Sequence, residues 1–463
     1  MKNVNCRKEM TVEYVELKKI ALYFQIDSYI DFSEYDEKFF HNKVNIYSLE
    51  NLLYELTLKI RRYWSEKKCS LSLNYLKSPH LNNENLLKLN KSTYFEYERG
   101  IPLSKIEKKW QYIIEGVANK TVLFSSGMSA IDSVLRTLIN TKKKKKVKIL
   151  CFCAYFETIS LLKLYDHSHL DIIFIEKENE VKEILKKDTV DILFIEPTKY
   201  NWNLDNINIS NLLNMINKYN RKNLTYVVTD TTLHGENSII ESWIKNSLKD
   251  NNFLFFIDIK SGLKLNQLGL ELSNLGIVNI YSNSKRYNVL LSLADSLKSV
   301  RVITGSNLSF FELCLLDSNF LGNSDYIKNY QEKIFENNSF FANNLNEGGF
   351  IKKIVFPRDS NINLLTPFLF IHLYNNDDYE NIMNYVKESF EKKGMFPPIG
   401  NSFGFRETRL ELIETKDEIP IKVIKIACGT YKGASLLLLL EIFNELSLNT
   451  NKTFDVNNKK GDI

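Results

Sequence analysis

Four groups of residues in this chain combine types and spacing that suit chemistry. The first is the stretch 122–135, Val-Leu-Phe-Ser-Ser-Gly-Met-Ser-Ala-Ile-Asp-Ser-Val-Leu. It begins apolar, turns through Ser125, Ser126 and Gly127, and continues with Met128, Ile131, Val134 and Leu135 at helical spacing. That is the pattern of a strand, a tight turn and a helix. The first turn of a helix carries N–H groups without intrahelical partners and the positive end of the dipole, so such a turn can hold a phosphate. The same serines also suit plain helix capping. The second group is Asp230, in Val228-Thr229-Asp230-Thr231-Thr232. The third is Lys264, in Ser261-Gly262-Leu263-Lys264, with Lys260 as a competing amine. The fourth is Tyr155, in Tyr155-Phe156-Glu157-Thr158.

The elements that must position these groups alternate between β and α. Strands are expected at 147–152, 190–195, 224–228, 253–259 and 277–281, and helices at 103–114, after 155–158, and at 204–219. Such alternation implies an α/β fold with a mainly parallel sheet covered on both faces. Each polar group follows the C-terminal end of a strand, where open α/β sheets bind ligands. From about residue 310 the pattern shifts. A helix at 324–344, strands at 368–373, 409–413 and 421–427, and helices at 379–393 and 434–446 describe a smaller α+β domain with an antiparallel sheet. The expected division is a helical N-terminal extension (1–90), a large domain (91–310), a C-terminal small domain (311–449) and a polar, disordered tail (450–463).

Composition narrows the function. The 463 residues suffice for two or three domains, and 44% hydrophobic with 25% charged residues is ordinary for a globular protein. A net charge of +5 is small for this length and implies no nucleic-acid partner. The six cysteines lack metal-ligand spacing, so no metal is expected, and buried thiols suit a reducing, cytoplasmic compartment. Residues 1–10 hold no apolar signal core, and the longest apolar run, 436–440, is too short to span a membrane.

One ligand asks for all four groups. Pyridoxal 5'-phosphate has an aldehyde that needs a lysine amine, a pyridine nitrogen that needs an anion, a phosphate that needs N–H and O–H donors, and a ring face that needs an aromatic partner.

The blocks also resemble, in order, the cysteine/methionine-metabolism family of fold-type I pyridoxal-phosphate enzymes, which includes cystathionine γ-synthase, cystathionine lyases and methionine γ-lyase. Tyr97-Glu98-Arg99 is similar to that family's Tyr-Ser-Arg, and residues 124–131 nearly reproduce its Phe-Ser-Ser-Gly-Met-Ala-Ala-Ile. Residues 155–158 resemble Tyr-Gly-Gly-Thr, residues 228–232 resemble its Val-Asp-Asn-Thr stretch, and residues 261–264 resemble Ser-x-Thr-Lys. The resemblance spans roughly residues 94 to 445. It implies the fold-type I transferase fold, with a seven-stranded sheet in the large domain. It implies that Lys264 binds the cofactor as a Schiff base and then moves protons, and that Asp230 pairs with the pyridine nitrogen. Ser126, Gly127, Met128 and Ser261 would hold the phosphate, and Tyr155 would stack on the ring and act as acid or base. Tyr97 and Arg99 would reach the phosphate of a neighbouring subunit, which makes the protein a homodimer or homotetramer with shared active sites.

Departures from the family pattern bear on the substrate. Leu263 replaces a threonine, and Lys199 stands where an asparagine is expected, so Asn201 becomes the candidate for the ring hydroxyl. The span from Asp230 to Lys264 is long, with an insertion around residues 241–250. The substrate carboxylate normally meets an arginine in a stretch that residues 424–429 resemble, and here that position is Lys425. Lysine lacks the planar fork of arginine. Residues 402–408 resemble the family's Ser-Leu-Gly-x-x-Glu-Thr, so Ser402, Arg406 and above all Arg409 are the further candidates. The expected reaction is Cα deprotonation of a small amino-acid substrate, followed by elimination or replacement at Cβ or Cγ. Transamination and a non-catalytic binding role are the alternatives.

Overall fold

The computed structural model describes residues 5–41, 44–72, 77–78, 98–142, 146–165, 168–219, 225–249, 251, 253–357, 364–415 and 421–449. The chain forms two compact units, one of Met1–Ser65, Leu268–Leu270 and Asn329–Ile463, the other of Glu66–Gln267 and Glu271–Lys328.

Three helices open the chain: α1 (Cys6–Tyr23), α2 (Phe32–Phe40) and α3 (Ile46–Ser72). Asn5 caps α1 by accepting the N–H of Lys8, and the stripe Met10, Tyr14, Leu17, Ala21 is buried. Tyr14 stacks on Phe39 of α2 at 4.5 Å. Its hydroxyl donates to Asp36 at 2.6 Å, and Lys18 pairs with the same carboxylate. The N-terminal region is therefore not the separate 1–90 extension expected from sequence. Its first 65 residues cluster with the C-terminal part of the chain. The physical reason is that an apolar helix stripe needs a core to cover it, and a buried Glu13–Arg406 pair ties α1 to that core.

The second unit contains α4 (Ser104–Lys109), β1 (Ala118–Phe124), α5 (Gly127–Thr141), β2 (Val147–Phe152), α6 (Phe156–Leu164), β3 (Leu170–Phe174), α7 (Glu178–Lys187), β4 (Ile192–Ile195), α8 (Ile209–Tyr219), β5 (Thr225–Asp230), α9 (Ser238–Lys249), β6 (Leu254–Ser261), β7 (Gly276–Ser282), α10 (Tyr287–Thr304), α11 (Phe310–Leu316) and the start of α12 (Ser324–Asn343). Seven strands form one sheet in the order β1-β7-β6-β5-β4-β2-β3. All run parallel except β7, which is antiparallel to both neighbours. Alternation along β1, β6 and β7 sends Val122, Phe124, Ile257, Ile259, Val278 and Ile280 into one core with residues of α5 and α10. The expected helix 204–219 begins later, because Leu204 adopts φ +49 in a loop. The residues read as an insertion form α9.

The C-terminal part adds β8 (Ile351–Val355), β9 (Leu369–Leu373), α13 (Asp378–Lys392), β10 (Arg409–Glu414), β11 (Lys422–Ala427) and α14 (Ala434–Leu448). Its four strands form an antiparallel sheet in the order β10-β11-β9-β8. The division expected at residue 310 falls instead after Lys328, since α11 and the following turn stay with the large sheet. The tail 450–463, expected to be disordered, lies outside the described residues. Among the described residues no helix is long and apolar enough to cross a membrane.

Candidate active site

The register of the large sheet brings separate sequence blocks to one edge. Phe124 at the end of β1 pairs with Gly276, and Gly276 pairs with Ser261 at the end of β6. One strand further, Asp230 at the end of β5 lies opposite Ile259. The C-terminal ends of β2 and β4 follow in the same direction.

The turn before α5 is built as an anion cradle. Ser126 caps the helix by accepting the N–H of Ser129 at 3.1 Å, and Ser129 Oγ accepts the N–H of Ser126 at 3.0 Å. This reciprocal cap fixes the turn. It also leaves the N–H groups of Gly127 and Met128 in the first turn, where helical geometry supplies no partner. Gly127 is closely approached: a Cβ there would lie 3.2 Å from Ser261 Cβ. A Cβ on Gly276 would lie 2.1 Å from the Ser126 carbonyl oxygen, so only glycine lets β7 pass under the turn. The Ser261 side chain is thereby set beside the turn. Two backbone N–H groups and a hydroxyl at a helix start fit a phosphate.

Thr232 joins the next two blocks. Its N–H donates to Asp230 Oδ1 at 2.9 Å, and its Oγ1 accepts the N–H of Ser261 at 2.9 Å. Burial pushes the Asp230 carboxyl up, the Thr232 hydrogen bonds pull it down, and nearby Asp258 pushes it up again. A cationic partner would favour its ionised form, which fits a protonated ring nitrogen. Lys264 lies in the turn after β6, half-buried, with its N–H donating to Ser261 O at 3.3 Å. The competing Lys260 is buried within β6, on the opposite face from Ser261. Its amine is 3.3 Å from Asp258 and 5.4 Å from the Tyr112 ring centre.

Tyr155 is the N-cap of α6 and is half-buried. Burial, the hydrogen bond to Glu157 and the charge of Asp230 together raise its hydroxyl well above the usual tyrosine range. Its ring meets Tyr200 edge-on at 5.9 Å. Its position is set by Glu196, which directly follows β4. This buried carboxylate accepts N–H groups from Ala154 at 2.9 Å, Tyr155 at 3.0 Å and Tyr200 at 3.3 Å. It therefore clamps the loop after β2 to the loop after β4. Burial pushes its carboxyl up to about 7. The signal in the sequence was an acidic residue closing an apolar strand. Lys199 donates to Ile175 O at 3.3 Å and lies 3.9 Å from the Phe152 ring centre. Asn201 is occupied inside its own loop: Nδ2 donates to Asp205 at 2.7 Å, and Oδ1 accepts from the N–H groups of Asn203 and Asp205. Those bonds leave the ring-hydroxyl role expected of Asn201 without support in its geometry. Arg99 is exposed on a 3-10 turn, Glu98–Gly100. Tyr97 lies outside the described residues.

The candidates for the substrate carboxylate all lie in the other unit, and each has a carboxylate of its own. Arg406 is buried, pairs with Glu13 at 2.5 Å and donates to Leu268 O at 3.0 Å. Both partners are internal to the fold, so Arg406, a candidate substrate contact by sequence, is placed structurally. Arg409 donates to Glu407 at 2.7 Å and to Asn401 O at 3.2 Å, with its guanidinium 3.3 Å from the Phe405 ring centre. Lys425 is buried on β11 and pairs with Glu411, directly across on β10. Glu411 also accepts the N–H of Ser402 at 3.3 Å, where Ser402 holds φ +75.

The chain was compared with known proteins. No family model matches it, and no curated protein matches it in sequence. Solved structures do match in fold. The structure of metB from Corynebacterium glutamicum aligns with a TM-score of 0.57 at 16% identity, over 80% of this chain and 91% of that one. Cystathionine gamma-lyase from yeast aligns with a TM-score of 0.55 at 15% identity, over 81% and 92%. CalE6, a methionine gamma lyase from Micromonospora echinospora, aligns with a TM-score of 0.52 at 12% identity, over 81% and 96%. The protein therefore has the fold of these enzymes, with a seven-stranded, mostly parallel sheet and a separate four-stranded antiparallel one.

Proposed function

We propose that this protein is a pyridoxal-phosphate-dependent enzyme of the carbon–sulfur lyase or γ-synthase type, acting at the α-carbon of an amino-acid substrate. The observation that carries the reading is the sheet register, which sets the α5 turn, Asp230 and Ser261 at one end of the sheet, with Lys264 in the turn that follows Ser261. Fold matches to a methionine gamma lyase and a cystathionine gamma-lyase support the reaction class.

When bound, the cofactor supplies an electron sink for the pair left at the substrate α-carbon. Ser126, Gly127, Met128 and Ser261 hold its phosphate. Asp230 keeps the ring nitrogen protonated, and Thr232 keeps Asp230 in place. Lys264 would hold the cofactor through its aldehyde, and its amine would serve to take a proton from the substrate α-carbon and return one. Tyr155 covers the ring. Its hydroxyl carries its proton at neutral pH, as a tyrosine ordinarily does, and is the group placed to pass one to the leaving group. Arg99 and Tyr97 reach the phosphate held by a second copy, which makes the enzyme a homodimer or homotetramer. A cytoplasmic setting suits its free thiols.

Adding pyridoxal phosphate to the purified protein is expected to give a visible absorption band. Lys264→Ala is expected to abolish that band. An unchanged band in the variant refutes the lysine assignment. Screening amino acids for ammonia and keto-acid release, against amino-group transfer to a keto acid, separates elimination from transamination. Transfer alone would overturn the reaction class.

A further inference from the structure

The turn that starts α5 leaves from β1, which is the edge strand of the large sheet. An edge presents backbone N–H and C=O groups with no strand to meet them. At Leu123, two residues before the turn, both groups are met by one buried ion pair. Glu107 of α4 accepts the Leu123 N–H at 3.3 Å, and Nη1 of Arg301 on α10 donates to the Leu123 carbonyl at 2.8 Å. The same Nη1 donates to Glu107 at 2.7 Å, and both side chains are buried. The next group along that edge is taken as well: the N–H of Ser125 donates to Ser306 O at 2.9 Å. Ser306 comes just after the Gly305 cap of α10, and its own N–H donates to Arg301 O at 3.0 Å. Helix α10 therefore clips the end of β1 twice, once through the Arg301 side chain and once through the backbone beyond its last turn. Covering an edge does not by itself need charge. Arg301 Nε is buried with no hydrogen-bond partner among the described residues, a cost that an apolar pair would avoid. An apolar pair, however, would leave the N–H and C=O of Leu123 without partners.

We propose that Arg301 and Glu107 are positioning residues for the cofactor phosphate, holding the end of β1 so that the turn at Ser125–Met128 keeps its anion-binding shape before the cofactor arrives. Fixing Leu123 and Ser125 fixes the direction in which α5 leaves the strand, and so aims the N–H groups of Gly127 and Met128. Binding then does not have to order the turn, which raises affinity without any new contact to the ligand. The pair carries no net charge, so it acts by placing backbone rather than by attracting the phosphate. The proposal rests on the reading of the α5 turn as the phosphate site of pyridoxal phosphate.

The test titrates the full chain with pyridoxal phosphate, follows the visible band, and measures amide exchange of residues 123–128 in the cofactor-free chain. Glu107→Gln combined with Arg301→Met removes both charges together, so neither is stranded in a buried site. This double variant is expected to need at least about tenfold more cofactor for half-saturation and to exchange those amides at least about tenfold faster. Asp191→Asn is the control. It breaks another buried pair, with Lys142, at the end of the sheet where β4 begins. It is expected to change cofactor affinity by less than about twofold. A double variant that folds and keeps wild-type affinity overturns the proposal, and so does a control that loses as much affinity as the double variant. If the double variant does not fold, Arg301→Lys decides. It keeps a charge for Glu107 but its amine falls a bond short of Nη1, and it is expected to weaken cofactor binding by at least about threefold. Wild-type affinity in that variant overturns the proposal. If the wild type forms no band, the cofactor reading fails and the proposal with it, whereas a wild-type band with unweakened variants refutes the proposal alone.

Discussion

Single side chains divide into those placed for chemistry and those placed to hold them. Asp230 is proposed for the first kind, with burial raising its carboxyl and Thr232 steadying it. Asp230→Asn keeps the shape and one acceptor but removes the charge that would keep a ring nitrogen protonated. Its turnover is expected to fall by about a hundredfold or more, with the cofactor band retained. Glu196 belongs to the second kind, since it gathers three N–H groups around the Tyr155 loop. Glu196→Ala leaves those donors buried without their acceptor. A loss of about 1–3 kcal/mol in stability is expected by denaturant titration, together with weaker cofactor binding.

At the scale of elements, what matters is how closely backbones approach. β7 passes under the α5 turn only because residue 276 has no side chain. Helix α1, besides its apolar stripe, carries a buried ion pair to Arg406. Glu13→Ala would strand the Arg406 guanidinium in a buried site, and a loss of about 3–5 kcal/mol is expected. Glu13→Gln, which keeps an acceptor, should lose less. Equal losses in the two variants would show that packing of α1, rather than charge, holds it.

For the molecule as a whole, buried carboxyls set the response to pH. Glu50, Glu196 and Glu236 are each pushed up to about 7, chiefly by burial. Glu50 accepts the N–H of Ser435 at the start of α14, which moderates the shift without cancelling it. A folded-state value above the ordinary 4.5 means that the native chain binds more protons than the unfolded chain between pH 4.5 and 7. The stability these groups contribute is fully present below the lower value. It is lost as pH rises through the upper one, by on the order of 3 kcal/mol per group at most. Urea midpoints of the cofactor-free protein should therefore fall across this window from these groups. Glu50→Gln should flatten the slope by about one proton, and an unaltered slope would show that Glu50 ionises normally in the fold.

The sequence by itself determined the strands other than β3 and β8, the turn at Ser125–Met128 and the order of the polar blocks, because these follow from local periodicity and turn chemistry. Residues 147–152, for example, form a strand with the expected limits. It also carried the fold class, since alternating strands and helices have few ways to bury both faces of a sheet. Only the tertiary structure decided which charges are already taken. Arg406, Arg409 and Lys425 read in sequence as three open cations. Arg409 pairs with Glu407 only two residues away, but the partners of Arg406 and Lys425, Glu13 and Glu411, stand 393 and 14 residues away, the first on a helix with no motif and the second across a strand pair. Charge pairing at such separations depends on register and packing, which local pattern does not encode. The same holds for Asn201, whose amide is occupied by its own loop, and for Glu196, whose role appears only once three loop N–H groups meet it.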